Sequence, residues 1–181
     1  KKILDAAREL FVEQGFDNVS MRKIAEKIEY SAPAIYFHFA DKQALLRALC
    51  ETDFLTLAQT FVKIAKVTDP IERLRKIGLA YLDFSATHQN HYRLMFMPPH
   101  PAVTPEESKA RKGVPEEDAY AFLRHTIEQG MAEGRFRPEY KDADLLTQIA
   151  WAGVHGVAAL HLVMQCEGWV KLRPLKKTGA T

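Results

Sequence analysis

Hydrogen-bond donors cluster in one short stretch near the N-terminus, residues 31–42. Tyr36, His38 and Lys42 supply a phenol, an imidazole and an ammonium, and no acid lies between positions 30 and 40. Donor groups of this kind bind phosphate oxygens, and a helix beginning in the same stretch would add backbone N–H groups and the positive end of its dipole. The stretch therefore predicts a phosphate-binding surface.

Small residues open the same stretch. Ser31 is placed to cap a helix, and Pro33 falls in the first helical turn, where proline is tolerated. Ala32 and Ala34 carry almost no side chain, so the start of this helix can approach another surface closely. We expect a helix over 32–39 that meets its ligand by its first turn.

A second short helix is expected just before it. Ser20 stands where an N-cap is needed, and apolar residues follow it at i, i+3, i+4 and i+7, with charged residues on the opposite face. The apolar positions are Met21, Ile24, Ala25 and Ile28. Two short helices joined by a tight corner predict a helix-turn-helix, whose second helix enters the DNA major groove by its N-terminal residues.

These residues also resemble a known family. From Ile3 to Leu46 the chain is similar to the DNA-binding domain of the TetR (tetracycline repressor) family, through ILDAARELFVEQGFDNVSMRKIAEKI and then SAPAIYFHFADKQALL. The resemblance implies that residues 31–34 face bases, that Tyr36 and Lys42 hold phosphates, and that Arg22 reaches the groove. The residues expected to contact DNA are Ser20, Arg22, Ser31, Ala32, Pro33, Ala34, Tyr36, His38 and Lys42.

One position departs from that family. Many members have glycine at the corner between the two helices, where this chain has Glu29. A non-glycine residue in the left-handed conformation costs about 1–2 kcal/mol. Either the corner has a different shape here, or the strain is tolerated.

Composition narrows the class of protein. The 181 residues are 47% hydrophobic, enough for a buried core, and the net charge of +2 is too small to indicate nucleic-acid binding by itself. No apolar run approaches the ~18 residues of a membrane span. Cys50 and Cys166 lack metal-type spacing, so reduced, buried thiols are expected. We expect a cytoplasmic protein that makes no membrane contact.

Helical periodicity dominates the chain and no β-type alternation is found, so the predicted fold class is all-α. A three-helix helix-turn-helix domain is expected over 1–46, and a helical ligand-binding and dimerisation domain over 47–181. Five of the nine prolines lie in 98–115, which predicts an exposed, mobile loop there. The predicted helices cover 2–14, 21–28, 32–39, 42–67, 70–87, 88–97, 116–133 and 143–166. Gly15 is placed to end the first of them, and Phe16 can fold back on Phe11 there.

The last predicted helix is apolar almost all round, which a helix tolerates only when it is covered on every side. One side can face its own lobe and the other a partner chain. The resemblance implies a homodimer in which the last two long helices of each chain form a four-helix bundle. The expected interface residues are Leu123, Ile127, Ala152, Gly153, Gly156 and Ala159.

The resemblance also implies a pocket for a small apolar or aromatic effector in the second domain. Two histidines there, His88 and His91, stand three apart on one predicted helical face and could form a metal pair. No third ligand accompanies them, so no metal or other cofactor is expected. The expected pocket residues are Phe61, Phe84, His88, His91, Tyr92, Phe96, Phe122, Trp151 and His155.

Motifs of enzymes, such as GxSxG, GxGxxG and GxxxxGK[ST], are absent from the sequence. We therefore expect a transcriptional regulator that is not an enzyme: a repressor, released by its effector, that binds a palindromic DNA operator as a homodimer. The alternative is a helical protein-interaction module with a non-functional helix-turn-helix. The intact set of Tyr36, His38 and Lys42 favours the regulator, because a module that had lost DNA binding would not need phosphate-facing groups.

Overall fold

The protein folds into α-helices throughout the part of the chain that the structure, a computed structural model, describes: residues 1–96 and 111–163. The predicted all-α class is confirmed. Most of the loop predicted over 98–115 lies outside the described residues, as do Cys166 and the predicted end of the last helix. The helices are α1 (Lys2–Gln14), α2 (Met21–Lys27), α3 (Ala32–Tyr36), α4 (Lys42–Val62), α5 (Pro70–Thr87), α6 (Gln89–Phe96), α7 (Ala119–Ala132) and α8 (Ala143–Val163).

Two compact units divide the described residues. The N-terminal unit comprises 1–54 and 90–96, and the C-terminal unit comprises 55–89 and 111–163. The N-terminal unit is therefore larger than the predicted domain over 1–46, because the first part of α4 and nearly all of α6 pack with α1 to α3. Its apolar core includes the fully buried residues Ala7, Ile24, Ile35, Leu45, Leu46 and Leu49.

Helix α1 ends as its sequence predicts. Gly15 follows the last helical residue with φ 80°, and its N–H donates to the Phe11 carbonyl. The next residue, Phe16, folds back so that its ring centroid lies 5.2 Å from that of Phe11. This apolar contact fixes the turn that leads into α2.

The corner between α2 and α3 is a left-handed turn without glycine. Glu29 has φ 60°, the one non-glycine residue with positive φ in the described chain. Its N–H donates to the Glu26 carbonyl (3.2 Å), and the Tyr30 N–H donates to the Ala25 carbonyl (2.9 Å). This hydrogen-bond pair is the Schellman motif. Of the two alternatives for this corner, tolerated strain is the correct one.

Three helix boundaries differ from the predictions by three or more residues. Helix α3 ends at Tyr36, because the N–H groups that follow turn back onto the carbonyls of Pro33 and Ile35. Helix α4 ends at Val62, where bonds between residues three apart replace the helical ones. Helix α7 begins only after Asp118, whose carboxylate caps the helix by accepting hydrogen bonds from the backbone N–H groups of Tyr120 and Ala121.

In the C-terminal unit, α5, α7 and α8 pack against one another. Their buried side chains form its core, and Gly78 of α5 lets the Val154 side chain of α8 approach closely, at 3.4 Å from where a Cβ would lie. In the N-terminal unit, Cys50 is a buried thiol as predicted, and burial raises its pKa to about 12. The buried residues that α5, α7 and α8 contribute to the core of the C-terminal unit are Ile77, Tyr81, Phe84, Phe122, Leu123, Ile127, Ala158 and Leu162.

The outer face of α8 is apolar and exposed. Among helices in the described residues, α8 has the length and composition to cross a membrane, so the prediction that no apolar run approaches a membrane span is wrong for this helix. Core helices of soluble proteins meet the same criterion. The inner face, with Thr147, Ala158 and Leu162, is buried in the C-terminal unit. The large apolar residues exposed on the outer face are Leu145, Ile149, Val157, Leu160 and Val163.

Candidate nucleic-acid interface

One side of α3 anchors the helix and the other is exposed. Ile35 is fully buried, whereas Ser31 and Pro33 are exposed and the two alanines beside them are half-buried. Ser31 is the N-cap residue, but its hydroxyl makes no capping hydrogen bond. The hydroxyl of Ser31 is therefore available to a ligand that approaches the start of α3.

Aromatic and imidazole groups continue this exposed surface past the end of α3. Tyr36 is 53% exposed, and its hydroxyl makes no hydrogen bond to any residue that the structure describes. His38 is exposed, and its ring lies edge-on to that of Phe37 with centroids 5.4 Å apart. The surface offers hydroxyl and imidazole groups that can hydrogen-bond phosphate oxygens.

Phe37 is the residue that the sequence prediction missed. Its side chain is 87% exposed, the largest fraction for any large apolar residue in the described ranges. The signal was present in the spacing, because Ile35 and Phe39 point inward and position 37 then points outward. An aromatic ring beside hydrogen-bonding groups suits a surface that must contact sugars or thymine methyl groups.

Helix α2 contributes an arginine to the same unit. Ser20 caps this helix as predicted, accepting from the Lys23 N–H at 3.2 Å. Arg22 has a side chain that is 82% exposed, and its Nε donates to Glu26 at 2.8 Å. That contact leaves the two terminal NH₂ groups of Arg22 facing outward, in the arrangement that a guanine edge or a phosphate can accept.

Lys42 differs from the other predicted contacts because its ammonium already has partners. Nζ donates to the carbonyl of Phe16 at 2.6 Å and is 3.4 Å from that of Asp17. It also lies 4.3 Å from the centroid of the Phe16 ring. The side chain is thus engaged by the turn between α1 and α2.

Two models of known protein families match this chain. Residues 3–49 match the family model for bacterial regulatory proteins of the tetR family, and residues 74–173 match that for the tetracyclin repressor-like C-terminal domain. The chain belongs to the TetR family. Because members of this family are regulatory proteins, the expectation that the chain is not an enzyme is confirmed.

Two solved structures share the fold of this chain. The fatty acid degradation regulator FadR from Bacillus halodurans has a TM-score of 0.73 at 17% identity, over 92% of this chain and 88% of that one. A protein of unknown function from Rhodococcus sp. RHA1 also has a TM-score of 0.73, at 25% identity, over 96% and 85%. The shared fold extends over both units.

Curated relatives include an activator and a repressor. The transcriptional activator FasR of Mycolicibacterium smegmatis is 32% identical over 96 residues, which are 52% of this chain and 44% of FasR. The class A tetracycline repressor from transposon 1721 in Escherichia coli is 31% identical over 142 residues, 73% of this chain and 56% of the repressor. The chain thus spans about half the length of these relatives.

The predicted pocket residues of this TetR-family chain fall into separate groups. In the C-terminal unit, the rings of Phe61 and Phe122 lie 6.2 Å apart, and His88 stacks on Phe84 at 4.9 Å. His88 is the cap residue after α5 and is not part of a helix. The prediction that His88 and His91 share one helical face is therefore wrong.

A polar and aromatic cluster lies between α5 and α8. The Tyr81 hydroxyl is 2.9 Å from Nδ1 of His155 and accepts from Nε1 of Trp151 at 3.3 Å. The Tyr120 ring of α7 lies 6.0 Å from that of Trp151. Burial lowers the pKa of His155, which favours the neutral imidazole, whose Nδ1 can accept from the Tyr81 hydroxyl. The sequence prediction included Trp151 and His155 but missed the two tyrosines.

The remaining predicted pocket residues, His91, Tyr92 and Phe96, belong to the N-terminal unit. Tyr92 is fully buried, and its ring lies 4.8 Å from that of Phe96. His91 donates from Nδ1 to Oδ1 of Asp53 at 2.7 Å, and Nη2 of Arg8 donates to the same oxygen at 2.7 Å. His91 thus links α6 to α4 and α1 through a buried carboxylate.

The predicted dimer interface needs one correction. Leu123 and Ile127 are buried inside their own C-terminal unit, so they cannot form a surface for a partner chain. Ala152 and Gly153 are exposed on α8, and Gly156 and Ala159 are half-buried. Together with the large apolar residues on the outer face, the four small residues form what we call the α8 stripe: Leu145, Ile149, Ala152, Gly153, Gly156, Val157, Ala159, Leu160 and Val163.

Proposed function

We propose that this chain is a DNA-binding transcriptional repressor that acts as a homodimer on a palindromic operator and is released by a small apolar or aromatic effector. The observation that carries the proposal is the exposed surface of α3, where a short helix held by one buried isoleucine presents a free hydroxyl, a phenol and an aromatic ring. Family membership supports the same function. A cytoplasmic location follows from it.

On the proposed DNA complex, α3 enters the major groove and α2 lies across the backbone. Ser31, Pro33 and Ala34 face base edges, and Tyr36 and His38 hydrogen-bond phosphates. Phe37 adds an apolar contact. One such helix makes too few contacts for tight binding, so two copies held about one helical turn of DNA apart (~34–36 Å) are needed.

Tyr36→Phe is expected to weaken binding to every DNA sequence alike, by roughly three- to tenfold, because one hydrogen bond to the backbone is lost. Ala34→Gln should behave differently. A larger polar group among the base-facing residues changes sequence preference by ~1–3 kcal/mol per affected base pair. Both variants are compared with the wild type by electrophoretic shift and by selection from random-sequence DNA.

The two variants serve as controls for each other, since both change exposed or half-buried side chains of the same short helix. The proposed docking would be supported if Tyr36→Phe lowered the affinity for all DNA sequences equally while Ala34→Gln changed which sequences are preferred. An altered preference for Tyr36→Phe would contradict it. A wild-type protein that selects no DNA would favour the protein-interaction module instead.

The α8 stripe supports the proposed homodimer. Its residues recur every three or four positions, as in helix pairs that pack side by side. Small residues at its centre allow two helices to approach closely, and a Cβ atom at Gly153 or Gly156 would have no atom of the described residues within 4 Å. A second copy of α8 is the partner that this self-complementary surface fits, because a two-fold axis places the same stripe on both sides.

For the effector, the support is the cluster of Tyr81, Trp151 and His155 with the aromatic residues around it. Such a site combines apolar walls with a few placed polar groups, which is the usual composition of small-molecule sites. One solved neighbour, FadR of Bacillus subtilis, is described in complex with stearoyl-CoA. We propose a small apolar or aromatic molecule whose polar group hydrogen-bonds at the Tyr81–His155 pair.

Effector binding is expected to change the fluorescence of Trp151, in a Trp169→Phe background that leaves one tryptophan. Fatty acids, their coenzyme A thioesters and aromatic carboxylates are titrated as probes. A compound that weakens DNA binding a thousandfold must prefer the non-binding conformation by about 4 kcal/mol. Tyr81→Phe is the matched control, since it keeps the ring and removes the hydroxyl.

The effector proposal fails if no probe changes either Trp151 fluorescence or the melting temperature. It also fails in part if a bound probe has the same affinity for the wild type and Tyr81→Phe, because the Tyr81–His155 pair would then not contact it. Release itself would act through α4, which contributes residues to both compact units.

A further inference from the structure

Arg22 and Glu26 form an ion pair on the exposed side of α2. The two residues are one helical turn apart, and Nε of Arg22 donates to Oε1 of Glu26 at 2.8 Å. Their side chains remain 82% and 60% exposed. An exposed ion pair contributes little to the stability of a fold. The pair can therefore be changed without unfolding the N-terminal unit, and it invites an explanation other than stability.

Glu26 engages the inner nitrogen of the Arg22 guanidinium and leaves the outer ones. A guanidinium carries two edges with paired donors, one formed by Nε and a terminal nitrogen and the other by the two terminal nitrogens. Because Nε is engaged by Glu26, the terminal edge is the one that can still bind a ligand with both of its donors. The parallel N–H groups of that edge match the O6 and N7 acceptors of guanine in the major groove.

The other two basic side chains of α2 have partners outside their own helix. Lys23 donates to the side chain of Gln14 at 3.0 Å. Lys27 pairs with Glu9 at 3.1 Å. Both contacts connect α2 to α1, whereas Arg22 is held by a residue of α2 itself. Among the described ion pairs of α2, the one with Arg22 thus orients a side chain and does not join two helices.

We propose, on the basis of the function proposed above, that Glu26 is a positioning residue for DNA sequence choice. By holding Nε, its carboxylate fixes the plane of the Arg22 guanidinium and directs the terminal edge at a guanine. It also hinders Arg22 from turning side-on to a phosphate, since that contact would use Nε. Glu26 itself touches no base.

This role has opposite effects on affinity and on specificity. A carboxylate at this position repels the DNA phosphates, so it lowers binding to every sequence. A bidentate arginine–guanine contact is worth roughly five- to 150-fold in discrimination against another base. Glu26 therefore reduces affinity for all DNA and raises the preference for the correct sequence.

The test measures binding to a DNA fragment that the wild type selects from random sequence, to copies with each guanine replaced in turn, and to an unrelated fragment. Glu26→Ala should bind the unrelated fragment about two- to fivefold more tightly at low salt. At one guanine of the selected fragment, its discrimination should fall by about tenfold. Glu26→Gln removes the charge but keeps an oxygen that accepts from Nε, so it should bind unrelated DNA equally tightly and lose less discrimination.

Glu13→Gln is the matched control, because it removes the same charge from an exposed position of α1 in the same unit. It should leave discrimination at every guanine unchanged. In an Arg22→Gln background, Glu26→Ala should cause no further loss of discrimination, since the group that it positions is already missing.

Unchanged discrimination in Glu26→Ala would overturn the inference and leave Glu26 as a repulsive surface charge. The same loss of discrimination with and without Arg22 would overturn it as well, because Glu26 would then act through another group. A wild type that selects no DNA contradicts the proposed function itself. Normal selection by the wild type with unchanged discrimination in Glu26→Ala contradicts the role of Glu26 alone.

Discussion

Gly156→Glu is expected to abolish the dimer and, with it, tight operator binding. Gly156 lies at the centre of the α8 stripe, and the described residues of the protomer leave space at its Cβ position. The variant should therefore fold as a protomer. In a two-fold interface each substitution occurs twice, and an unpaired buried charge costs several kcal/mol. We expect the dimer dissociation constant to rise by about a thousandfold or more.

Light scattering and operator binding measure this effect together. Gln148→Glu is the matched control, because it adds the same charge to an exposed position of α8 roughly a quarter turn from Gly156, at the edge of the stripe. Circular dichroism of the two variants should agree, since neither change affects the core. A Gly156→Glu protein that remains a dimer with normal DNA affinity would place the interface on another surface.

Asp53→Ala is expected to destabilise the N-terminal unit by about 3–5 kcal/mol, the usual cost of breaking a buried ion pair from one side. Asp53 is 1% exposed and accepts from both Arg8 and His91 through the same oxygen. Without the carboxylate, the largely buried guanidinium of Arg8 keeps its charge without this partner. Urea denaturation followed by circular dichroism measures the change in the free energy of unfolding.

Asp5→Ala provides the matched control, because Asp5 also pairs with Arg8 but at 3.6 Å and with a side chain that is 56% exposed. An exposed pair of this kind contributes about 0–1 kcal/mol. A difference between the two variants therefore isolates the effect of burial. Similar small losses in both would show that Asp53 does not bind Arg8 and His91 as described.

Local features of the N-terminal unit could be predicted from the sequence because they depend on neighbouring residues. The cap at Ser20, the end of α1 at Gly15 and the contact between Phe11 and Phe16 are confirmed. The corner at Glu29 could only be narrowed to two alternatives, since the cost of a left-handed residue is small enough for two backbone hydrogen bonds to offset it.

Contacts between distant residues could not be predicted. Arg8, Asp53 and His91 are separated by 45 and 38 positions, and helical spacing carries no information about which charged residues meet. The same limit explains the error at Leu123 and Ile127. An apolar helical face has the same spacing whether it is covered by its own unit or by a partner chain. Phe37 carries no hydrogen-bond donor, so a pattern of donor side chains does not include its exposed ring.

On the proposed dimer, the α8 stripe also determines how steeply promoter occupancy follows the amount of protein in the cell. When protomers outnumber dimers, the concentration of dimers rises with the square of total protein, so a doubling of synthesis raises the DNA-binding species roughly fourfold. A lower dimer dissociation constant would confine this regime to lower protein concentrations. Above them, the concentration of dimers would rise only in proportion to total protein. On that dimer, the small residues at the centre of α8 thus determine, through the dimer dissociation constant, how strongly promoter occupancy depends on protein concentration.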